Sequence, residues 1–180
     1  MHYDDQQIQE MLRSEATRIQ GFEAAVRQYS EMLYWQVRRI VLTHDDANDV
    51  VQNVLLKAWR SIDNFHGDSL LSTWLSRIAI NESIDFERRQ RQRPTADADD
   101  TSVSSRLAAD EYFDGDRAEM LLQEAIATLP EIQRKVFLLR YYDEMKYSEM
   151  SRMLDTSEGS LKASYHIAVK KITDFLRHKD

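Results

Sequence analysis

The sequence predicts an all-α fold: two small helical domains joined by an acidic flexible linker, the C-terminal one containing a helix-turn-helix. Three observations predict it. Four glycines and two prolines in 180 residues are too few turn formers for an all-β fold. Apolar residues recur at three- and four-residue steps over most of the chain. Between the two periodic regions lies a stretch rich in acids and poor in large apolar residues. The expected boundaries are residues 1–93, 94–117 and 118–180.

The first helical face carries Phe22, Ala25, Val26, Tyr29, Leu33, Val37, Ile40 and Val41. Asp45 or Asp46 is placed to cap the next helix. There Ala47, Val50, Val51, Val54, Leu55, Ala58 and Ile62 form an amphipathic stripe. Phe65-His66-Gly67-Asp68-Ser69 interrupts it. A third helix, capped by Ser72 or Thr73, carries Trp74, Leu75, Ile78, Ala79 and Ile84, then runs into Arg88, Arg89, Arg91 and Arg93 and stops before Pro94. Residues 94–115 read as a linker with a short helix near Leu107-Ala108-Ala109. The pattern resumes with Met120, Leu121, Ala125, Ile126 and Leu129. Pro130 suits the first turn of the following helix, which carries Ile132, Val136, Phe137 and Leu139. Two more helices span Tyr147 to Leu154 and Glu158 to about Leu176.

Composition excludes several functions. There is no cysteine, hence no disulfide and no thiolate metal site. The start of the chain lacks the basic and apolar regions of a signal peptide. No apolar run approaches the roughly 18 residues of a membrane span. A soluble, cytoplasmic protein is expected. His2, His44, His66, His166 and His178 show no metal-ligand spacing, and no glycine-rich phosphate loop occurs. No metal, cofactor or small-molecule substrate is expected, and the chain does not read as an enzyme. The net charge of −7 sits entirely between Thr95 and Glu124, where nine acids face two bases. The rest is neutral, with bases clustered at Arg88–Arg93 and along the last helix. Such clusters suit nucleic acid.

The sharpest local motif is Tyr147-Ser148-Glu149-Met150-Ser151-Arg152-Met153-Leu154, a break at Asp155-Thr156-Ser157, then Glu158-Gly159-Ser160-Leu161-Lys162. It reads as a helix-turn-helix with Ser157 as N-cap and Asp155 at the left-handed turn position. Leu161, Tyr165, Ala168 and Ile172 point inward. Ser160, Lys162, Ala163, His166 and Lys170 are left for a major groove or its phosphates. An ordinary helical hairpin with a solvated basic face is the plain alternative.

Together the two halves resemble bacterial RNA polymerase sigma factors of the small extracytoplasmic-function (ECF) type of the sigma-70 family. The resemblance rests on Asp49-Val50-Val51-Gln52-Asn53, on Thr73-Trp74-Leu75-Ser76-Arg77-Ile78-Ala79-Ile80-Asn81 with Asp85 and the arginines, on Leu129-Pro130-Glu131-Ile132-Gln133-Arg134, and on the helix-turn-helix. It covers Phe22 to Leu176. It implies a promoter-specific initiation factor that binds polymerase core, recognises −35 and −10 elements and helps melt DNA. Asp49, Gln52, Asn53 and Trp59 would contact the coiled coil of the polymerase's largest subunit. His66, Gly67, Asp68 and Ser69, with Asn81, would hold a base flipped out of the −10 element; Arg77, Arg88 and Arg89 would hold the single strand or upstream phosphates. Ser157, Ser160, Lys162, Ala163, His166 and Lys170 would serve the −35 element. An anti-sigma factor is a further implied partner. The acidic connector, with Asp97, Asp99 and Asp100, would thread the polymerase cleft; a merely solubilising tether is the plain alternative.

Some residues have simpler roles available. Trp74 falls with Leu75, Ile78 and Ile84 and reads as core. Trp59 serves either the core or the polymerase interface. Asp49 also complements the helix dipole. In the recognition helix, Lys162-Ala163-Ser164-Tyr165-His166-Ile167 and Val169 carry fewer bases than the family pattern. Two rival readings are a helix-turn-helix regulator that binds DNA alone and a sigma mimic that titrates a regulator. The acidic connector opposes the first, because phosphate binding is mainly electrostatic; Asn81 and the arginines oppose the second.

Overall fold

A computed structural model describes residues 2–93 and 102–179. Its described residues are helical throughout, with no strand. The elements are α1 (Asp5–Arg13), α2 (Arg18–Val41), α3 (His44–Arg60), a 3-10 turn (Ile62–Asn64), α4 (Leu71–Gln92), α5 (Val103–Ala109), α6 (Arg117–Ala127), α7 (Glu131–Tyr141), α8 (Tyr147–Leu154) and α9 (Glu158–Lys179). The expected all-α class and the helix-turn-helix, now α8–α9, both hold.

In the first half, α2 is the central helix and packs on α1, α3 and α4. Its apolar stripe buries Ala25, Leu33, Val37 and Ile40 against Val50 and Val54 of α3 and Leu75 and Ala79 of α4. The second half packs α9 on α6, α7 and α8. There Ile126, Val136, Leu139, Met150 and Leu161 are almost wholly buried. Each large apolar side chain fully buried there stabilises the fold by about 1.5–3 kcal/mol.

No element is expected before Phe22, yet α1 forms there. Asp4 accepts from the Gln7 N–H at 2.8 Å, and the Gln7 side chain accepts from the Asp4 N–H at 3.0 Å. This reciprocal cap starts α1. Ile8 and Leu12, four residues apart, then bury against α2.

Two caps differ from expectation. Thr43, not Asp45 or Asp46, caps α3: its hydroxyl accepts from the Asp46 N–H at 3.3 Å. The two aspartates instead lie in the first turn, where they complement the dipole. α4 begins at Leu71, before Ser72 and Thr73, and has no side-chain cap from its own N-cap residue Leu70. Asp5 of α1 accepts from the Leu71 N–H at 3.4 Å instead. A cap supplied from a distant residue leaves no local sequence signal. Asp155 adopts the expected left-handed geometry, φ 50° and ψ 49°.

Asp97, Asp99 and Asp100 lie outside the described residues. The described part of the expected linker is not a bare tether. α5 forms near the expected position and buries Leu107. Arg106 donates to the Val41 carbonyl at 2.9 Å. Asp110 is buried against Arg38 and accepts from the His44 N–H at 3.0 Å. Composition gave no sign of this docking, because only one apolar residue anchors it and the rest is polar pairing. The halves also meet directly. Glu87 of α4 and Arg134 of α7 form a buried two-pronged ion pair, and Arg134 donates further to the Ile40 carbonyl at 3.2 Å.

Candidate nucleic-acid and polymerase interface

The outer face of α3 is the first surface. Burying Val50, Val54 and Ala58 turns Asp49, Gln52 and Asn53 outward, and all three are exposed. Trp59 meets both of its alternatives: its ring packs on Phe22 at 5.0 Å between centroids, yet 37% of it is exposed. Leu56 lies on the same side with 52% exposed and was absent from the sequence-predicted set. Its signal was available, since an apolar residue off the buried stripe of an amphipathic helix has no core to enter.

The second surface is a cleft of about 340 Å³ beside the start of α4. Its walls include His66, Asp68 and Ser69 from the loop, and Thr73, Trp74 and Arg77 from α4. Gly67 holds the turn at φ +79°, a left-handed conformation that a residue with a Cβ adopts at a penalty. Trp74 is half-buried against the core, as expected, but it also faces this cleft with Phe65, their rings 5.3 Å apart. Two aromatic faces, small polar groups and the guanidinium of Arg77, with that of Arg152 opposite, suit an unstacked base with its phosphate. Arg152 and Met153 of α8 close the far side.

Asn81 is not brought to this cleft. It sits one turn beyond Arg77, and its side-chain oxygen accepts from Lys135 of α7 at 3.1 Å. Arg88 is likewise engaged, with Asp85 at 3.2 Å and Glu131 at 2.7 Å. Burial raises the Glu131 pKa, but the adjacent Lys135 and Arg88 outweigh it and hold the carboxyl below its ordinary value. Arg89 is exposed with no ion-pair partner among the described residues. Thus two expected DNA contacts, Arg77 and Arg89, are open, and two, Asn81 and Arg88, are occupied by the second half.

The third surface is α9. Ser157 caps it, accepting from the Ser160 N–H at 3.2 Å. Leu161, Ala168 and Ile172 are buried, and Tyr165 stacks toward Phe137. Ser160, Lys162, Ala163, His166 and Lys170 are all exposed along one side. Gly159 has open space where a side chain would stand, so the backbone at the helix start is accessible.

Comparison with known proteins finds two family models in succession. Residues 25–93 match the model for sigma-70 region 2, and residues 119–172 that for sigma-70, region 4. The chain is 30% identical over 144 residues to the ECF RNA polymerase sigma factor SigM of Mycobacterium tuberculosis, covering 79% of this chain and 70% of that one. It is 29% identical over 175 residues to the RNA polymerase sigma-H factor of Pseudomonas aeruginosa, covering 88% of this chain and 86% of that one. The fold is similar to that of CnrH, solved in complex with the cytosolic domain of CnrY, at TM-score 0.71 and 21% identity over 98% of this chain and 99% of that one. It is also similar to the sigma factor RpoE of Bartonella quintana, solved with the anti-sigma factor NepR, at TM-score 0.64 and 21% identity over 87% and 96% of the two chains. With regions 2 and 4 in order and relatives along most of its length, the chain belongs to the ECF sigma factors of the sigma-70 family and is a promoter-specific transcription initiation factor.

Proposed function

We propose that the three surfaces divide initiation among them. The exposed face of α3 (Asp49, Gln52, Asn53, Leu56 and Trp59) docks on the coiled coil of the largest subunit of RNA polymerase core. The cleft formed by the loop His66–Ser69 with Trp74 and Arg77 captures a base extruded from the −10 element. Extrusion costs a few kcal/mol, which stacking and phosphate contacts offset at about 1–3 kcal/mol per stacked base. Asn81, Arg88 and Arg89 continue that track along α4. Ser157, Ser160, Lys162, Ala163, His166 and Lys170 read the −35 element in the major groove. The chain is a specificity factor with no chemistry of its own and acts in the cytoplasm.

One observation carries this reading most. An aromatic-lined cleft of nucleotide size is walled by the loop and α4 of the part of the chain that matches sigma region 2, with Arg152 and Met153 of α8 across it. CnrH and RpoE of B. quintana are each seen with a regulatory chain; by analogy an anti-sigma factor is a partner here. Among the described residues, no helix is long and apolar enough to cross a membrane.

Run-off transcription with purified core on genomic DNA tests the reading. Defined start sites with shared upstream sequences are expected only when the chain is added. Tight specific promoter binding without core would favour the stand-alone regulator. Core binding without any transcript would favour the mimic.

A further inference from the structure

α1 lies outside the region matched to the family, which begins at residue 25, yet it is built into the base-capturing loop. Asp5 ties three elements together: it accepts from the Tyr29 hydroxyl at 2.6 Å, from Gln9 at 2.5 Å and from the Leu71 N–H at the start of α4. Ile8 and Leu12 are buried, and a Cβ at Gly21 would stand only 2.8 Å from that of Met11, so α1 lies hard against α2. The end of α1 reaches the loop itself. A Cβ at Gly67 would stand 2.7 Å from Arg13 Nη2 and 3.2 Å from Gln9 Oε1. A second cavity, about 290 Å³, runs from Leu12 and Arg13 to Phe65 and His66, the same two residues that wall the base cleft.

The two basic residues here differ. Arg18 is neutralised by Asp63 at 2.9 Å. Arg13 is exposed and has no ion-pair partner among the described residues. A cation in the last turn of a helix complements the dipole. That does not account for its position against the left-handed glycine of a DNA-reading loop.

We infer that α1 is part of the −10 reading surface and that Arg13 binds a phosphate of the single strand beside the captured base. This rests on the base-cleft reading above. Among the described residues no negative group pairs with Arg13, and a flipped nucleotide at the loop brings a phosphate to the same side. Asp5, Gln9 and Tyr29 are positioning residues that fix α1 beneath the loop.

The test uses the full chain with core polymerase and a fork-junction DNA bearing the unpaired −10 strand of a promoter mapped by run-off transcription. Binding is measured over a salt series for the wild type, Arg13→Ala, Arg13→Lys and a double variant Asp68→Ala/Ser69→Ala. Arg13→Ala is expected to weaken binding about tenfold and make the salt slope shallower by about 0.7, the value for one phosphate contact on a single strand. Arg13→Lys should keep the slope. Core affinity, melting temperature and binding to a −35 duplex should not change. Unchanged affinity and slope in Arg13→Ala, with a clear loss in the loop variant, overturns the inference alone. No effect in either overturns the base-cleft reading and the inference with it. A loss in melting temperature or core affinity without a change in slope marks Arg13 as scaffold and also overturns the inference.

Discussion

The buried pair between Glu87 and Arg134 joins the two halves, and loss of one member should part them. Both side chains are over 90% buried, and Arg134 places two prongs on the carboxylate and a third hydrogen bond on Ile40. Glu87→Ala leaves a buried guanidinium with only a carbonyl partner. Loss of one member of such a pair costs about 3–5 kcal/mol. The double change Glu87→Leu/Arg134→Met removes both charges, and apolar replacement of a buried pair is neutral or stabilising by about 1–4 kcal/mol. Arg134 Nε already lacks a partner, which favours that outcome. Urea unfolding of the single and the double variant gives the two stability changes. Scattering gives the shape: a chain of 180 residues packed as one body has a radius of gyration of about 16 Å. The wild type and double variant should stay near it, and Glu87→Ala should expand. A single-variant loss below about 1 kcal/mol, the value of a solvated pair, would refute the reasoning, because the two residues would then not be buried against each other in solution.

Four further outcomes follow from particular residues. Leu56→Asp changes an exposed position, so stability should move by no more than about 0.5 kcal/mol while core affinity falls at least tenfold by pull-down titration. Gly67→Ala forces a Cβ into a left-handed turn, a penalty of about 1–2 kcal/mol; permanganate reactivity of −10 thymines should drop with −35 binding intact. Lys162→Ala and Lys170→Ala, if each loses one phosphate on duplex DNA, should each reduce the salt slope by about 0.9, measured by fluorescence anisotropy. Burial raises the Asp143 pKa more than Arg39 and Gln36 lower it. A carboxyl with a raised folded-state pKa favours folding below its unfolded value and loses that contribution as pH rises through the folded value. Asp143→Asn should therefore match the wild type at acid pH and equal or exceed it in urea stability at pH 7.

Periodicity and composition made most of the architecture legible. Stripes such as Val50, Val54 and Ala58 set helix faces, and the same stripes determine that Asp49, Gln52 and Asn53 point outward. The αL turn at Asp155 and the Ser157 cap were equally local. What escaped depended on partners distant in sequence. The cap of α4 is Asp5, 66 residues away. The docked α5 segment is held by Arg38 and the Val41 carbonyl. Asn81 and Arg88 were read as DNA contacts from their places on α4, but no local pattern shows that Lys135 and Glu131 meet them first.

That last point bears on promoter binding. Asn81 and Arg88 cannot hold DNA while they hold Lys135 and Glu131. These two contacts are exposed or only partly buried, and exposed pairs are worth only about 0–1 kcal/mol each, so DNA displaces them at little cost. The buried pairs Glu87–Arg134 and Arg38–Asp110 are different. If −35 and −10 elements are to be read at once, α8 must leave the cleft it borders, and the Glu87–Arg134 pair must separate. Each 1.4 kcal/mol needed for that step lowers the free chain's affinity for promoter about tenfold. If the exposed face of α3 is the core-binding surface proposed above, core can bind before the halves separate and supply the energy, because that face is open in the packed arrangement. On that reading, a chain whose net charge of −7 opposes DNA becomes a promoter reader through the order of binding: protein first, nucleic acid second.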